Sequence, residues 1–237
     1  MKRKTLIIGA SPDSDYLAGV GRDVKNWENF LFSPVGGSWR NSEVKILREP
    51  TKDEAIKASA WMKDADYGKI IFIGHGFIED DELGSPVTFF NLNDDEVVSE
   101  RELNPQTPWF IQIMDCCRKY IPIEESISFS KSATSVLALN EDTARSLYDT
   151  AIYRSEKGLV RMYAADLSQG AADEESFTDM LIKQALKWSR GHTGILDSKQ
   201  AFDLVKQYFQ QSNPQQTPVH NAGRRHRYFP IAVGGQQ

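Results

Sequence analysis

The stretch Lys69-Ile70-Ile71-Phe72-Ile73-Gly74-His75-Gly76 decides the fold. Its apolar run is unbroken, which is typical of a parallel β-strand buried on both faces of a sheet. A second run of this kind, Trp109 to Met114, is followed by Asp115-Cys116-Cys117-Arg118. Both predicted strands therefore end in side chains that can carry chemistry. Because carboxyl ends of parallel strands open on one edge of a sheet, we expect these side chains to lie close together.

Predicted strands and helices alternate along the chain on either side of these two runs. The predicted strands are residues 5–9, 44–47, 69–74, 109–114, 159–164 and 227–233, with a short hairpin near 88–90. The predicted helices are residues 23–32, 51–62, 141–155, 174–188 and 198–209. This alternation predicts an α/β fold in three layers, a mostly parallel central sheet of about six strands with helices on both faces. No repeat or long linker interrupts it, so one domain, 1–237, is expected.

Composition narrows the class of function. The net charge of −5 argues against general affinity for nucleic acid or anionic lipid, and we interpret the basic cluster at 224–227 as an exposed loop. Apolar runs fall far short of the ~18 residues that span a bilayer. The start of the chain shows no apolar signal-peptide core, and the two cysteines are adjacent, which prevents a disulfide framework. We expect a cytoplasmic protein with no membrane and no nucleic-acid partner.

His75 and Cys117 together suggest nucleophilic catalysis. His75 is one of four histidines and stands between two glycines, and Cys117 follows 42 positions later at the end of the next long strand. A thiolate is the reactive form of cysteine, and a nearby imidazole can take its proton. Each residue alone has a plainer interpretation, a turn histidine or a core thiol that packs as a small hydrophobe. A zinc site is disfavoured, because vicinal cysteines do not easily bind one metal and no Cys-x-x-Cys spacing occurs.

The order of several motifs resembles the caspase-like cysteine peptidases, in their metacaspase, orthocaspase and paracaspase branches. The matching pieces are the opening strand, Leu17 to Val24 leading into a helix, Gly74-His75-Gly76, Asp115-Cys116-Cys117, Ala165 to Thr178, and Arg227 to Val233. The resemblance spans most of the chain and implies a caspase-like fold. It divides the domain into a large-subunit-like part (1–118), a segment where this family often has an activation site (119–157) and a small-subunit-like part (158–237).

The resemblance also implies roles for individual residues. Cys117 is the expected nucleophile, because the family pattern is Asp-x-Cys, and His75 is the expected general base. The backbone N–H groups of Gly76 and Cys117 are the expected oxyanion hole. The reaction would be acyl transfer through a thioester, with a protein or peptide as substrate. Regulated proteolysis in a prokaryotic defence or cell-death pathway follows by the same analogy.

Acidic residues predict cleavage after Arg or Lys, since an acidic pocket selects a basic side chain. The expected substrate-binding residues are Asp23, Asp115 and, in an ambiguous register, Asp173 or Glu174. The alternative for Asp23 is a helix N-cap, which could coexist with the pocket role. One departure from the metacaspase pattern is Arg118, where His-Ser-Gly usually follows the nucleophile. A basic residue there could activate the thiol or plug an acidic pocket.

Other features of the sequence leave alternatives open. Lys131, Arg145, Arg154 and Lys157 are conceivable self-cleavage points, with ordinary surface cations as the plainer interpretation. Acidic clusters at 80–82 and 94–96 raise the question of calcium, but no EF-hand spacing occurs and solvated loops are favoured, so we predict no metal residues and no cofactor. A catalytically silent scaffold is the main alternative function. A phosphate-binding domain is disfavoured, since Gly9 to Gly21 lacks Gly-Lys-Ser/Thr. The oligomeric state stays open, with a monomer as one option.

Overall fold

The computed structural model describes residues 1–12, 16–119, 140–172 and 175–235. Its strands are β1 (Arg3–Ala10), β2 (Val44–Arg48), β3 (Tyr67–Gly74), β4 (Gly76–Asp80), β5 (Pro86–Asn91), β6 (Val97–Ser99), β7 (Trp109–Asp115), β8 (Gly158–Tyr163), β9 (Gly194–Asp197), β10 (Val219–Asn221) and β11 (Pro230–Gly234). Its α-helices are α1 (Ala18–Phe32), α2 (Lys52–Ala60), α3 (Glu141–Arg154), α4 (Phe177–Gly191) and α5 (Ser198–Ser212).

The central sheet has six strands in the order β10-β8-β7-β3-β1-β2. All neighbours pair in parallel except β10, which runs antiparallel to β8 at one edge. Every residue of β1 and β3 is buried, and β7 is buried after its first residue, so the centre of the sheet is covered on both faces. The predicted six-stranded, mostly parallel sheet is therefore confirmed.

The two faces of the sheet are covered unequally. One face packs against α1, α3, α4 and α5 and the β9–β11 ribbon, with Trp27, Tyr148 and Leu181 in its core. The other face packs against α2 and the antiparallel β4-β5-β6 sheet, which contribute Ala55 and Phe90. Helices lie on both faces as predicted, although a small sheet covers much of the second one.

Several boundaries differ from those that the sequence predicts. Helix α1 begins at Ala18, five residues before the predicted start, with Leu17 as its N-cap. The predicted capping box at the start of α2 is present, since Thr51 accepts from the Glu54 N–H and Glu54 reaches back to Thr51. The hairpin predicted near 88–90 falls in the antiparallel β4-β5-β6 sheet. Strands β9 and β10 were not predicted, because three or four residues of mixed polarity give no clear alternation.

A buried cationic cluster joins the sheet to helix α3. Arg3 of β1 is fully buried, stacks 4.4 Å from the Trp39 ring centroid and pairs with Asp149 of α3 at 3.1 Å. Lys69 of β3 is also fully buried and donates a hydrogen bond of 2.9 Å to the Tyr148 hydroxyl. Burial lowers the pKa of Lys69 to about 7, and the positive charge of Arg3 makes a smaller contribution in the same direction. The neutral amine is therefore favoured in the folded state far more than in the unfolded chain.

We expect this amine to make the free energy of unfolding depend on pH. The unfolded lysine has a pKa of about 10.4, so between pH 7 and that value the unfolded state binds more protons and stability rises with pH. Replacing Lys69 by Met removes the titration and keeps an unbranched chain among the aromatic rings. Denaturant unfolding should show wild-type stability rising by about 2 kcal/mol from pH 7.5 to 9.5 relative to Lys69→Met. A difference between the two proteins that does not change with pH would contradict this expectation.

Candidate active site

The pairing of β3 with β7 gives His75 and Cys117 corresponding positions along the two chains. The last pair within these strands joins Ile73 to Asp115, and an isolated parallel bridge beyond them joins Phe77 to Lys119. Both pairs have the same offset, so His75 and Cys117 lie between them at matching positions of adjacent backbones. Adjacent strands run about 4.8 Å apart, close enough for the two side chains to meet. The predicted proximity at this edge of the sheet agrees with the register.

The two glycines that flank His75 allow close packing of the backbone at the end of β3. Gly74 has a φ of +153°, and a Cβ there would lie 2.1 Å from the Ala10 carbonyl oxygen of β1. A Cβ on Gly76 would lie 2.7 Å from Sγ of Cys116 and 2.9 Å from the Phe89 carbonyl oxygen. The backbone around half-buried His75 is therefore packed too closely for side chains on either flank.

The two adjacent cysteines have different surroundings. Cys116 is 2% exposed and packs against Gly76, and burial raises the pKa of its thiol well above the ordinary value. Cys117 is only partly buried and is a free thiol. Since the thiolate is the nucleophilic form and must be reachable, Cys117 is the better candidate of the two. Its role as nucleophile and that of the Gly76 and Cys117 N–H groups as oxyanion hole stay predictions.

A loop, residues 164–172, lies directly against the Cys117 sulfur. The Ala171 N–H donates to Sγ at 3.3 Å, and the Ala171 carbonyl oxygen lies 3.9 Å from the same sulfur. The backbone after the cysteine joins the loop as well, since the Arg118 N–H donates to the Gln169 carbonyl at 2.9 Å and the Ser168 N–H donates to the Arg118 carbonyl at 2.7 Å. Most of this loop belongs to the Ala165 to Thr178 stretch that carries part of the sequence resemblance.

Among the described residues, the side chain of Arg118 contacts neither of the groups that the sequence suggested as its partners, the thiol or the predicted acidic residues. Its guanidinium lies 3.8 Å from the centroid of the Tyr163 ring, and Nη1 donates to the Ala165 carbonyl at 3.4 Å. Arg118 is 7% exposed, and Tyr163 in turn donates to the buried carboxylate of Glu100 at 2.9 Å. These contacts anchor the chain directly after Cys117, and none of them is to Asp23 or Asp115.

Asp23 and Asp115 meet at the start of helix α4. Oδ2 of Asp23 accepts from the Ser176 hydroxyl at 2.7 Å, and Ser176 is the N-cap of α4. Oδ2 of Asp115 accepts from both the N–H and the hydroxyl of Thr178 at 2.7 Å each. The partial positive charge of a helix N-terminus stabilises such carboxylates. The N-cap alternative for Asp23 is wrong, because α1 begins at Ala18 and Asp23 lies inside it.

Burial makes both carboxyl groups hard to ionise. Asp23 is 2% exposed and Asp115 is 5% exposed. Burial raises the pKa of Asp115 to about 7, an effect that the nearby Asp23 reinforces and the Thr178 hydrogen bonds oppose. Burial likewise raises the pKa of Asp23, while hydrogen bonds from Arg22 and Ser176 oppose it. Two acids are thus held close together beside the predicted dyad, whereas Asp173 and Glu174 lie outside the described residues.

The remaining sequence candidates have ordinary surroundings where the structure describes them. Arg145 and Arg154 lie within α3, and Arg145 pairs with Glu43. Lys157 stacks over the Trp109 ring at 5.2 Å, and Lys131 lies outside the described residues. In the acidic loops, Asp81 accepts from the N–H groups of Leu83 and Ser85. Across residues 1–12, 16–119, 140–172 and 175–235, no three His, Cys, Asp or Glu side chains form a group that could hold a metal ion.

Comparison with known proteins identifies the class of fold. No model of a known protein family matches the sequence, and no curated protein matches it either. The architecture is nevertheless the caspase-like α/β fold, as the sequence predicted. Caspase-1 from Spodoptera frugiperda matches 100% of this chain and 92% of its own, with a TM-score of 0.60 and 11% sequence identity. At that identity the likeness shows the fold alone. In the described part of the chain, no helix has the length and apolar character needed to cross a membrane.

The sequence analysis did not identify three polar residues whose side chains make hydrogen bonds at this site. Ser176 and Thr178 hold the two acids, and Gln216 bonds the loop beside Cys117. A Ser three residues before an Asp at a helix start is a capping signal that could have identified Ser176. Gln216 is 3% exposed yet carries no such signal. Apart from the Asn213 side chain, whose Nδ2 donates to its Oε1 at 3.4 Å, its side chain bonds the backbone of Ala164 and Ala172, more than 40 residues away.

We expect Gly76→Ala to destabilise the fold by about 1 to 3 kcal/mol, because the new methyl group would overlap Cys116 and the backbone of β5. The matched control is Gly191→Ala at the end of α4, where a Cβ would meet nothing within 4 Å. Denaturant unfolding of both variants measures the difference. Equal stability of the two variants would show that the strand end is not packed as closely as described.

Proposed function

We propose that this chain is a cysteine endopeptidase that uses His75 and Cys117 and cleaves after Arg or Lys. The observation that carries the proposal is the shared register of β3 and β7, whose offset continues past His75 and the partly buried thiol of Cys117 at the carboxyl edge of a caspase-like sheet. The caspase-like fold supports the reaction class, and the fold by itself does not define it. The expected substrate is a protein, as for caspase-like peptidases generally.

The proposed reaction is a two-step acyl transfer. The Cys117 thiol gives its proton to His75, and Sγ bonds to the carbonyl carbon while the oxygen takes up negative charge near the Gly76 and Cys117 N–H groups. The C–N bond then breaks, and the amine leaves with the proton from His75. Water, activated by His75, hydrolyses the thioester and releases the acid. Cys117 is regenerated as the thiol.

Asp23 and Asp115 support the proposed preference for a basic side chain. Asp23 already holds a guanidinium, since Nε of its neighbour Arg22 lies 2.9 Å from Oδ1. The Arg22 side chain is 36% exposed, so a substrate guanidinium could replace it from the solvent side. Two buried acids close together favour an incoming positive charge. The proposed role in a prokaryotic defence or cell-death pathway rests on the sequence resemblance. The proposed cytoplasmic location rests on the two adjacent cysteines, which suit a reducing compartment.

Turnover of fluorogenic peptides tests the nucleophile and the dyad. We expect peptides ending in Arg or Lys to be cleaved in preference to those ending in Asp or Leu. Cys117→Ala and His75→Ala should lower kcat/KM by at least about a thousandfold, since each removes a reacting group. Cys116→Ala is the matched control and should retain most activity, because its thiol is buried.

Calcium is added in one arm of the same assay, because its effect on activity is open. Loss of activity in Cys116→Ala alone, with Cys117→Ala active, would overturn the assignment. No turnover of any peptide by wild type, with or without calcium, would favour the catalytically silent scaffold.

The charge of Asp115 should make the preference for Arg depend on pH. The ionised carboxylate attracts a guanidinium, and the pKa of about 7 means that ionisation increases as pH rises from 6 to 8. We expect the ratio of kcat/KM for an Arg peptide to that for its neutral citrulline analogue to rise over this range. Asp115→Asn should flatten the rise, while the exposed Asp53→Asn leaves it unchanged. A ratio that stays constant in wild type would remove Asp115 from the pocket.

A further inference from the structure

A buried glutamine joins the two ends of the loop that contacts Cys117. Nε2 of Gln216 donates to the Ala164 carbonyl at 3.0 Å, and Oε1 accepts from the Ala172 N–H at 3.0 Å. Ala164 follows β8 directly, and Ala172 is the far end of the loop. A single planar amide therefore fixes the separation of both ends. Because Gln216 is 3% exposed, water does not compete readily for either bond.

The same segment also holds the middle of the loop. Oε1 of Gln169 accepts from the Thr217 N–H at 2.8 Å, and its Nε2 lies 3.4 Å from the Thr217 hydroxyl. Residues 216 and 217 thus bond the loop at its start, its middle and its end. A loop held at three points keeps its shape with little conformational freedom, and Gln216 supplies two of the three points.

The opposite side of this loop faces the nucleophile candidate. The Ala171 N–H that donates to Sγ of Cys117 belongs to the residue just before Ala172, whose own N–H is held by Gln216. The position of the donor at the sulfur is therefore one peptide unit away from the glutamine. An N–H directed at a sulfur stabilises negative charge on it, which favours the reactive thiolate.

We propose that Gln216 is a positioning residue that acts through the loop at residues 164–172 and holds the Ala171 N–H against the Cys117 sulfur. A leucine or methionine could fill the same volume, but the amide also offers a donor for Ala164 and an acceptor for Ala172 at once. The inference deepens the proposed function, on which it rests for the meaning of Cys117 as nucleophile. The contact itself can be tested without any substrate.

The experiment measures the rate at which iodoacetamide alkylates Cys117 at a fixed, mildly acidic pH. Alkylation is read at the cysteine-containing peptide by mass spectrometry, so Cys116 is scored separately. We expect Gln216→Ala to slow the reaction of Cys117 at least about fivefold, the change expected when a hydrogen bond to a charged group is lost. Gln215→Ala is the matched control, because it removes the adjacent, exposed glutamine and should leave the rate unchanged.

Gln216→Met keeps the length and volume of the side chain but offers neither the donor for Ala164 nor the acceptor for Ala172. We expect a decrease of the same size, and this variant decides the matter if Gln216→Ala does not fold. An alkylation rate in either folded variant that equals or exceeds wild type would overturn the proposal. Peptide turnover by wild type is scored independently, so a protein without peptidase activity can still confirm or refute the positioning role.

Discussion

The parallel pairing of β3 with β7 is the constraint on which the whole site depends. The offset that pairs Ile73 with Asp115 continues to Phe77 and Lys119, so the two strand ends stay in step past His75 and Cys117. Side chains of a strand alternate between faces, and a slip of one residue would exchange Cys117 for its neighbour. With two cysteines in a row, register alone decides which thiol is buried and which is accessible. Burial of both strands on both faces makes that slip costly.

The helix that follows the loop completes the same edge of the sheet. Asp115 ends β7 and bonds Thr178, while Asp23 of α1 bonds Ser176, so two carboxylates from distant parts of the chain converge on the N-terminus of α4. Burying two acids is unfavourable, and the helix N-terminus and these hydrogen bonds offset part of that cost. The acids therefore have a structural role whatever else they do. This structural role is compatible with the proposed recognition role, because a carboxyl group can accept more hydrogen bonds than the helix supplies.

The sequence predicted the centre of this fold better than its edges. Strands β3 and β7 were predictable because continuous apolar runs have few other uses in a soluble domain. The start of α1 was not predictable, because Gly19 and Gly21 have low helix propensity and the first turn of the helix contains both. Strand β10 has three residues and depends on its pairing with β8. The position of Cys117 just after a buried strand could be predicted from the sequence, whereas the bonds of Gln216 to Ala164 and Ala172 are tertiary and have no local pattern.

The backbone of Cys117 is held by hydrogen bonds of the residues on both sides, which limits the positions that its sulfur can take. On one side Asp115 is fixed to α4 by two hydrogen bonds to Thr178. On the other side Arg118 is fixed by its backbone bonds to the loop and by its stack on Tyr163. A group held this way has lost its conformational entropy during folding, so little remains to be lost when a substrate binds. Removing either anchor should therefore affect the alignment of the sulfur before it affects the fold, because the core strands on which both anchors depend are buried independently of them.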